Sequence, residues 1–136
     1  MIKYKRNIER RKTMSEKLVI HRVSVNNQKE IQMEVDQGVS LNQYRASGQM
    51  LVDSDGLSFV YLLEKEEDYT YIVIPNTVWK ELKTALTEKL PIYLSNQSER
   101  LLLNQFHEEL SYLIENIKGN SNYGEKMVNE VEAVFK

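Results

Sequence analysis

Two apolar runs set the tightest limit on what this chain can fold into. Residues 57–63 (LSFVYLL) and 69–74 (YTYIVI) are joined by a charged turn over residues 64–68. Each has the length of a strand and is rich in the Val, Ile, Tyr and Phe that suit a pleated surface. Neither alternates apolar with polar residues as a half-solvated strand does. In the second run Tyr69, Tyr71 and Val73 point one way, and Ile72 and Ile74 the other. Both runs therefore belong in the middle of a sheet with cover on both faces. Pro75 ends the second, because it has no N–H to give to the ladder.

The flanking segments extend the sheet. Residues 17–25 (KLVIHRVSV) read as one strand, and Asn26-Asn27 after it suits a tight hairpin. Residues 30–35 alternate, with Ile31, Met33 and Val35 on one face and Glu30, Gln32 and Glu34 on the other. That pattern predicts a strand with one wet face. Residues 37–41 form a loop around Gly38. Residues 45–52 make a further strand in which Gly48 marks a bulge or a close backbone approach. Asp53-Ser54-Asp55-Gly56 is the strongest local turn signal, and a type I′ hairpin there sets Gly56 at positive φ.

The period then changes from two to 3.6. Asn76 or Thr77 is placed to cap a helix whose buried stripe is Trp79, Leu82, Ala85 and Leu86. Residues 91–95 (PIYLS) read as a short returning strand. Phe106, Leu110, Leu113, Ile114 and Ile117 give the clearest helical spacing, with Asn104 as its cap and Lys118-Gly119 as its stop. A last helix runs from about residue 125 to 135. Strands first and helices later predict an α+β fold. The expected arrangement is an antiparallel meander sheet of about five to six strands, with three helices packed mainly on one face. Something must close the other face. A second copy, giving a homodimer, is the expectation; a sheet curled over itself is the alternative.

At 136 residues the chain has the size of one domain. Its charge is unevenly spread. Within residues 1–12, six basic side chains against Glu9 give +5, and the remaining twelve basic and nineteen acidic residues give −7. Residues 1–13 are expected to be a basic, disordered arm, with Met14 as an alternative start, and residues 14–136 a single α+β domain. The arm lacks the apolar core of an export signal. The absence of cysteine excludes disulfide scaffolds, Cys-ligated metal and thiol chemistry. No apolar run has the length of a membrane span. Together these features lead to an expected cytoplasmic location.

Chemistry-bearing patterns are sparse. His107 has Ser111 four residues on, so no paired-histidine metal motif exists, and the ring is expected to be solvated. His21 is expected on a sheet face. Asp53 and Asp55 open like a calcium loop, but Leu57 stands where the next oxygen ligand belongs. No phosphate-cradling glycine loop or nucleophile elbow occurs. Tyr61, Tyr69, Tyr71 and Tyr93 lack the interleaved basic residues of a base-stacking sheet. No cofactor or metal is expected.

Three functional readings follow. The first is a non-enzymatic interaction or regulatory module with an unidentified protein partner. The second is a small-ligand-binding protein or enzyme whose site lies near Asp53, Asp55, Asn120, Asn122 and Tyr123, polar groups at element ends. Turn chemistry explains the same Asp and Asn residues. The third, nucleic-acid binding through the basic arm, is disfavoured by the acidic body.

Two strings are distinctive: GQMLVDSDGLSFVYLLE (residues 48–64) and FHEELSYLIENIKGNSNYGEKM (residues 106–127). They resemble the YjbL-like family of small uncharacterised proteins of Bacillota, over a stretch from about Gly48 to the C-terminus. Members of that family start near Met14, so the basic arm departs from its pattern. The resemblance implies a cytosolic bacterial protein. It carries no established activity, ligand or catalytic residue, so no residue role transfers.

Overall fold

A computed structural model describes residues 16–36 and 38–135 of the chain. The basic arm and Gln37 of the predicted 37–41 loop lie outside the described residues. The fold is α+β. Eight strands are described: β1 (Glu16–Val19), β2 (Arg22–Val25), β3 (Ile31–Glu34), β4 (Arg45–Asp53), β5 (Ser58–Lys65), β6 (Asp68–Pro75), β7 (Ile92–Ser95) and β8 (Arg100–Leu102). Three helices accompany them: α1 (Trp79–Glu88), α2 (Phe106–Ile117) and α3 (Glu125–Val134).

The expected single antiparallel meander is corrected. The strands form two four-stranded mixed sheets, one ordered β1-β6-β5-β4 and the other β2-β3-β7-β8. The segment predicted as one strand over 17–25 is divided. Buried Ile20 donates its N–H to the Val73 carbonyl at 2.9 Å, which completes the edge of the first sheet. At His21 the chain leaves the ladder, and β2 begins the second sheet. β1 runs parallel to β6 and β3 parallel to β7. Parallel partners are distant in sequence, so no local turn signal announces them. β8 spans only three residues and falls below the length that periodicity detects.

The inner faces of both sheets and the buried stripes of all three helices meet in one apolar core. β5 supplies Phe59, Tyr61 and Leu63, opposite Ile74, Ile72 and Thr70 of β6. Phe59 lies 4.9 Å from the Trp79 ring of α1 and 6.2 Å from Phe135, just beyond α3. Tyr61 stacks on Phe106 of α2 at 5.9 Å. Met33, Ile31, Ile92 and Leu94 bring the second sheet into the same cluster. The helices thus pack into a core that two sheets share, not onto one face of a single sheet.

The ends of the elements differ in part from the local expectation. Gly56 does not carry the positive φ; Leu57 does, at 49°, and its N–H bonds Ser54 O at 3.2 Å. The Asp53 side chain accepts the Gly56 N–H at 3.2 Å, so the aspartate organises the turn and glycine freedom is not needed. The bulge at Gly48 is as expected: φ is 77° and the β4–β5 register shifts between Ala46 and Met50. Neither Asn76 nor Thr77 caps α1, because a 3-10 turn over Asn76–Val78 precedes it. Asn76 instead donates its amide to Glu130 of α3 at 3.0 Å.

Candidate functional site

Among the described residues, the second sheet presents a concave polar surface. Alternation turns Val23, Met33 and Ile31 inward and leaves Arg22, Ser24, Gln32 and Glu34 on the opposite face. Register carries that polar face across three strands: Arg22 faces Glu34, which faces Ser95, and Ser24 faces Gln32, which faces Tyr93. The result is a cleft of about 430 Å³. Arg22, Ser24, Gln32, Glu34 and Ser95 line its floor, and Asn26, Asn96 and Gln97 its ends.

Its floor is partly self-satisfied. Glu34 accepts a hydrogen bond from Ser24 Oγ at 3.4 Å and lies 3.5 Å from Arg22 Nε. The Arg22 side chain is 73% exposed, so its remaining donors face water. Gln32 is half-buried on the middle strand.

Both ends are built by asparagines. Asn26 Oδ1 accepts the N–H groups of Gln28 and Glu30 at 3.0 and 2.9 Å, while its amide donates to Glu30 Oε1 at 2.8 Å. That Glu30 oxygen also takes Arg100 Nη1 at 2.6 Å, and the guanidinium lies 4.0 Å over the Tyr93 ring. The Asn26 amide and then the Arg100 guanidinium hold the Glu30 carboxyl below its usual range. At the far end buried Asn96 accepts the N–H groups of Ser98 and Glu99 and donates to Val39 O. Glu99 in turn accepts the Leu41 N–H at 2.7 Å. This clasp fixes the 38–41 segment beside the cleft.

A second polar node lies inside the fold. The Tyr61 hydroxyl accepts the Gly48 N–H at 3.0 Å and faces Asn104 O at 2.8 Å and Oδ1 at 2.9 Å, either of which takes its proton. Burial, opposed by the Gly48 bond and reinforced by Glu109, pushes the phenol up to about 12. The node ties the β4 bulge to the start of α2 and has the character of a structural clamp.

The five residues singled out in the sequence lie at element ends. Asp53 is buried at the end of β4, and exposed Asp55 sits in the turn. Asn120 Oδ1 accepts the Asn122 N–H at 3.0 Å, and its amide donates to Asn116 O at 3.2 Å. Tyr123 is buried in the short turn before α3. The bonds described for Asp53 and Asn120 serve their own turns. None of these five residues lines the 430 Å³ cleft. His107 is half-buried and not solvated as expected; its Nε2 faces Leu90 O at 2.5 Å and donates to it. His21 is exposed at the crossover between sheets. Among the described residues no cluster of three or more His, Asp or Glu is placed to hold a metal ion. No helix of the described chain is long and apolar enough to cross a membrane.

Comparison with known proteins adds the family. The model of a family of unknown function, UPF0738, matches residues 18–135. The chain belongs to the UPF0738 family. YjbL of Bacillus subtilis, a UPF0738 protein, is 50% identical over 91 residues, which are 67% of this chain and 75% of the relative. UPF0738 proteins of Geobacillus kaustophilus and Geobacillus sp. WCH70 are 43% and 42% identical over 122 residues, 90% of this chain and 98% of each relative. The resemblance seen in residues 48–64 and 106–127 is therefore a family relationship. No solved structure matches. The family match covers both sheets from Leu18 onward, and so includes the whole polar cleft.

The cleft was within reach of sequence analysis. The alternation of residues 30–35 marks its wet face, but dividing 17–25 into two strands was needed to set Arg22 and Ser24 beside it.

Proposed function

We propose that this protein is a non-enzymatic interaction module whose working surface is the polar cleft of the second sheet. The observation that carries the reading is the cleft itself: guanidinium, carboxylate, hydroxyl and amide groups aligned on three rigid strands. Pockets for drug-sized ligands are mostly apolar and enclosing. This one is polar and open, and it suits an extended polar segment of a partner protein. Strand-borne groups hold their geometry better than loop-borne ones, which favours specific hydrogen bonding. The reading includes a homodimer as the working unit and a cytoplasmic setting, the latter supported by the lack of cysteine.

Site-specific photocrosslinking tests it. A photoreactive residue at Gln32 should give a discrete adduct with one partner in producing cells, and the adduct should be lost with Arg22→Ala. The same probe at exposed Lys80 on α1 should not give it. Identical adduct patterns from both positions, or an adduct indifferent to Arg22, would remove the cleft as the working surface. Displacement of the Gln32 adduct by Asp55→Ala and Asn122→Ala would favour a site among the five turn residues instead.

A further inference from the structure

We infer that the outer edge of β2 takes up an extended segment of a partner protein as an added antiparallel strand. That segment reads apolar, polar, apolar, acidic from its N-terminal to its C-terminal end. The inference rests on the cleft as the working surface and names how a partner engages it. β2 is the outer strand of the second sheet, and among the described residues no strand pairs with its other side. The phase of its hydrogen bonds follows from its neighbours. Ile31 donates its N–H to Pro91 O at 2.8 Å and Val35 to Ser95 O at 3.0 Å, so these odd-numbered residues direct their main-chain groups toward β7. Gln32 and Glu34 then serve β2, opposite Ser24 and Arg22. The bond from Asn26 N–H to Glu30 O at 3.0 Å keeps the same phase. Val23 and Val25 are left with an N–H and a C=O each directed off the sheet. Such a row is a template for main-chain pairing. The other edges are blunted: Lys17 stands on β1, the Gly48 bulge interrupts β4, and β8 has only three residues.

Side chains select the segment. Directly opposite residues of an antiparallel pair share a face. A residue opposite Arg22 or Ser24 therefore lies over the polar cleft, and one opposite Val23 or Val25 lies on the core side. The Arg22 side chain is 73% exposed, and Glu34 lies 3.5 Å from its Nε, so its terminal nitrogens suit an acidic residue. Val25 is 52% exposed at the edge and suits an apolar one. β3 displays this pattern on the occupied side: Ile31, Gln32, Met33 and Glu34 stand opposite Val25, Ser24, Val23 and Arg22. The added strand repeats it on the other side. Residues 1–12, at +5, carry the wrong sign to face Arg22. The Glu30 and Glu34 carboxylates beside the cleft would repel the phosphates of a nucleic acid.

The probe is a peptide with the sequence of residues 29–36 (KEIQMEVD), capped at both ends and titrated to millimolar concentration into the isotope-labelled full chain. The amide signals of Val23 and Val25 should move most, with intermolecular NOEs from the peptide to Val25. The Glu34→Lys form of the peptide should bind about threefold or more weakly, and Arg22→Glu in the chain should reverse that preference. Val25→Pro removes an N–H that the β2–β3 ladder does not use, so circular dichroism should show a folded chain, and peptide binding should be lost. Arg22→Glu, at an exposed position, keeps the test open if Val25→Pro does not fold. No binding at millimolar peptide, shifts centred on Tyr93 and Ser95 of β7, or undiminished binding by Val25→Pro would each overturn the added strand. The cleft itself is judged separately. A Gln32 photoadduct that persists in Val25→Pro would overturn strand addition and leave the cleft as the working surface. A Gln32 adduct that never forms, with the peptide still adding to β2, would overturn the cleft and support the edge.

Discussion

The two sheets are alike in size and in mixed pairing, yet their outer faces differ in kind. On the first, Leu51, Val60, Leu62 and Val73 turn away from the core. On the second, Arg22, Ser24, Gln32, Glu34 and Ser95 occupy the corresponding side. Both sheets give their other face to one shared core. Backbone topology therefore does not decide which surface meets water; the side-chain period within each strand does. A strand apolar at every position demands a second cover, while an alternating strand leaves a polar surface free for recognition.

The largest predicted effect separates the faces directly. Val60→Asp sets an unpaired carboxylate on a central strand, and should cost about 3 kcal/mol or more in urea denaturation. Gln32→Thr on the middle strand of the second sheet should stay within about 0.5 kcal/mol, as surface changes usually do. Equal effects would erase the distinction between the two faces.

Next comes the bulge that shapes the first sheet. Gly48 holds φ at 77°, and an added Cβ would overlap the Gln105 side-chain oxygen. Gly48→Ala should therefore cost about 1–3 kcal/mol, from strain and from displacing that side chain. An unchanged denaturation midpoint would show that the bulge is not needed.

Tyr61→Phe leaves the Gly48 N–H without its acceptor and should cost about 1–3 kcal/mol near neutral pH. Its pH dependence has a definite sign. A phenol raised to about 12 stays protonated in the native state while the unfolded chain ionises from its ordinary value of 10. Its stabilising contribution is whole below that ordinary value and is lost as pH climbs toward the native one. The difference between wild type and Tyr61→Phe should thus narrow at alkaline pH; a constant difference would contradict the clamp.

The smallest effect belongs to the second sheet. The Glu30 carboxyl is held below its ordinary value of 4.5 by Asn26 and Arg100. A lowered acid stabilises the native state above its ordinary value and loses that contribution as pH falls through the native one. Any stability advantage of wild type over Glu30→Gln should shrink as the solution is acidified below that ordinary value. An advantage that grows with acid would reverse the assigned cause.

How far the sequence reveals this molecule depends on the range of the interaction. The helices are legible because Phe106, Leu110, Leu113 and Ile117 repeat within a few turns, and the β4–β5 and β5–β6 hairpins because their turns are local. Gly48 was legible as a bulge for the same reason. The second sheet was not, because β3 pairs with β7 about sixty residues away and β1 with β6 at a similar remove. The split at His21 follows from those distant partners and not from any breaker residue. At Gly56 the turn residues were right and the geometry wrong: Asp53 bonds the Gly56 N–H, and Leu57 takes the left-handed conformation. The polar half of the cleft was visible in the alternation of residues 30–35. Its other wall required Arg22 and Ser24 to belong to a separate strand. Asp53 and Asn120 stood out because Asp and Asn suit turns, and both are observed bonding turn backbone.

Methyl NMR with a soluble paramagnetic agent tests the contrast between the faces in one measurement. The methyl signals of Val60 and Leu62 on the outer face of the first sheet should be shielded from it, while those of Val25 and Leu102, exposed on the second sheet, should be broadened. Equal broadening on both sheets, or broadening confined to Val60 and Leu62, would contradict the account.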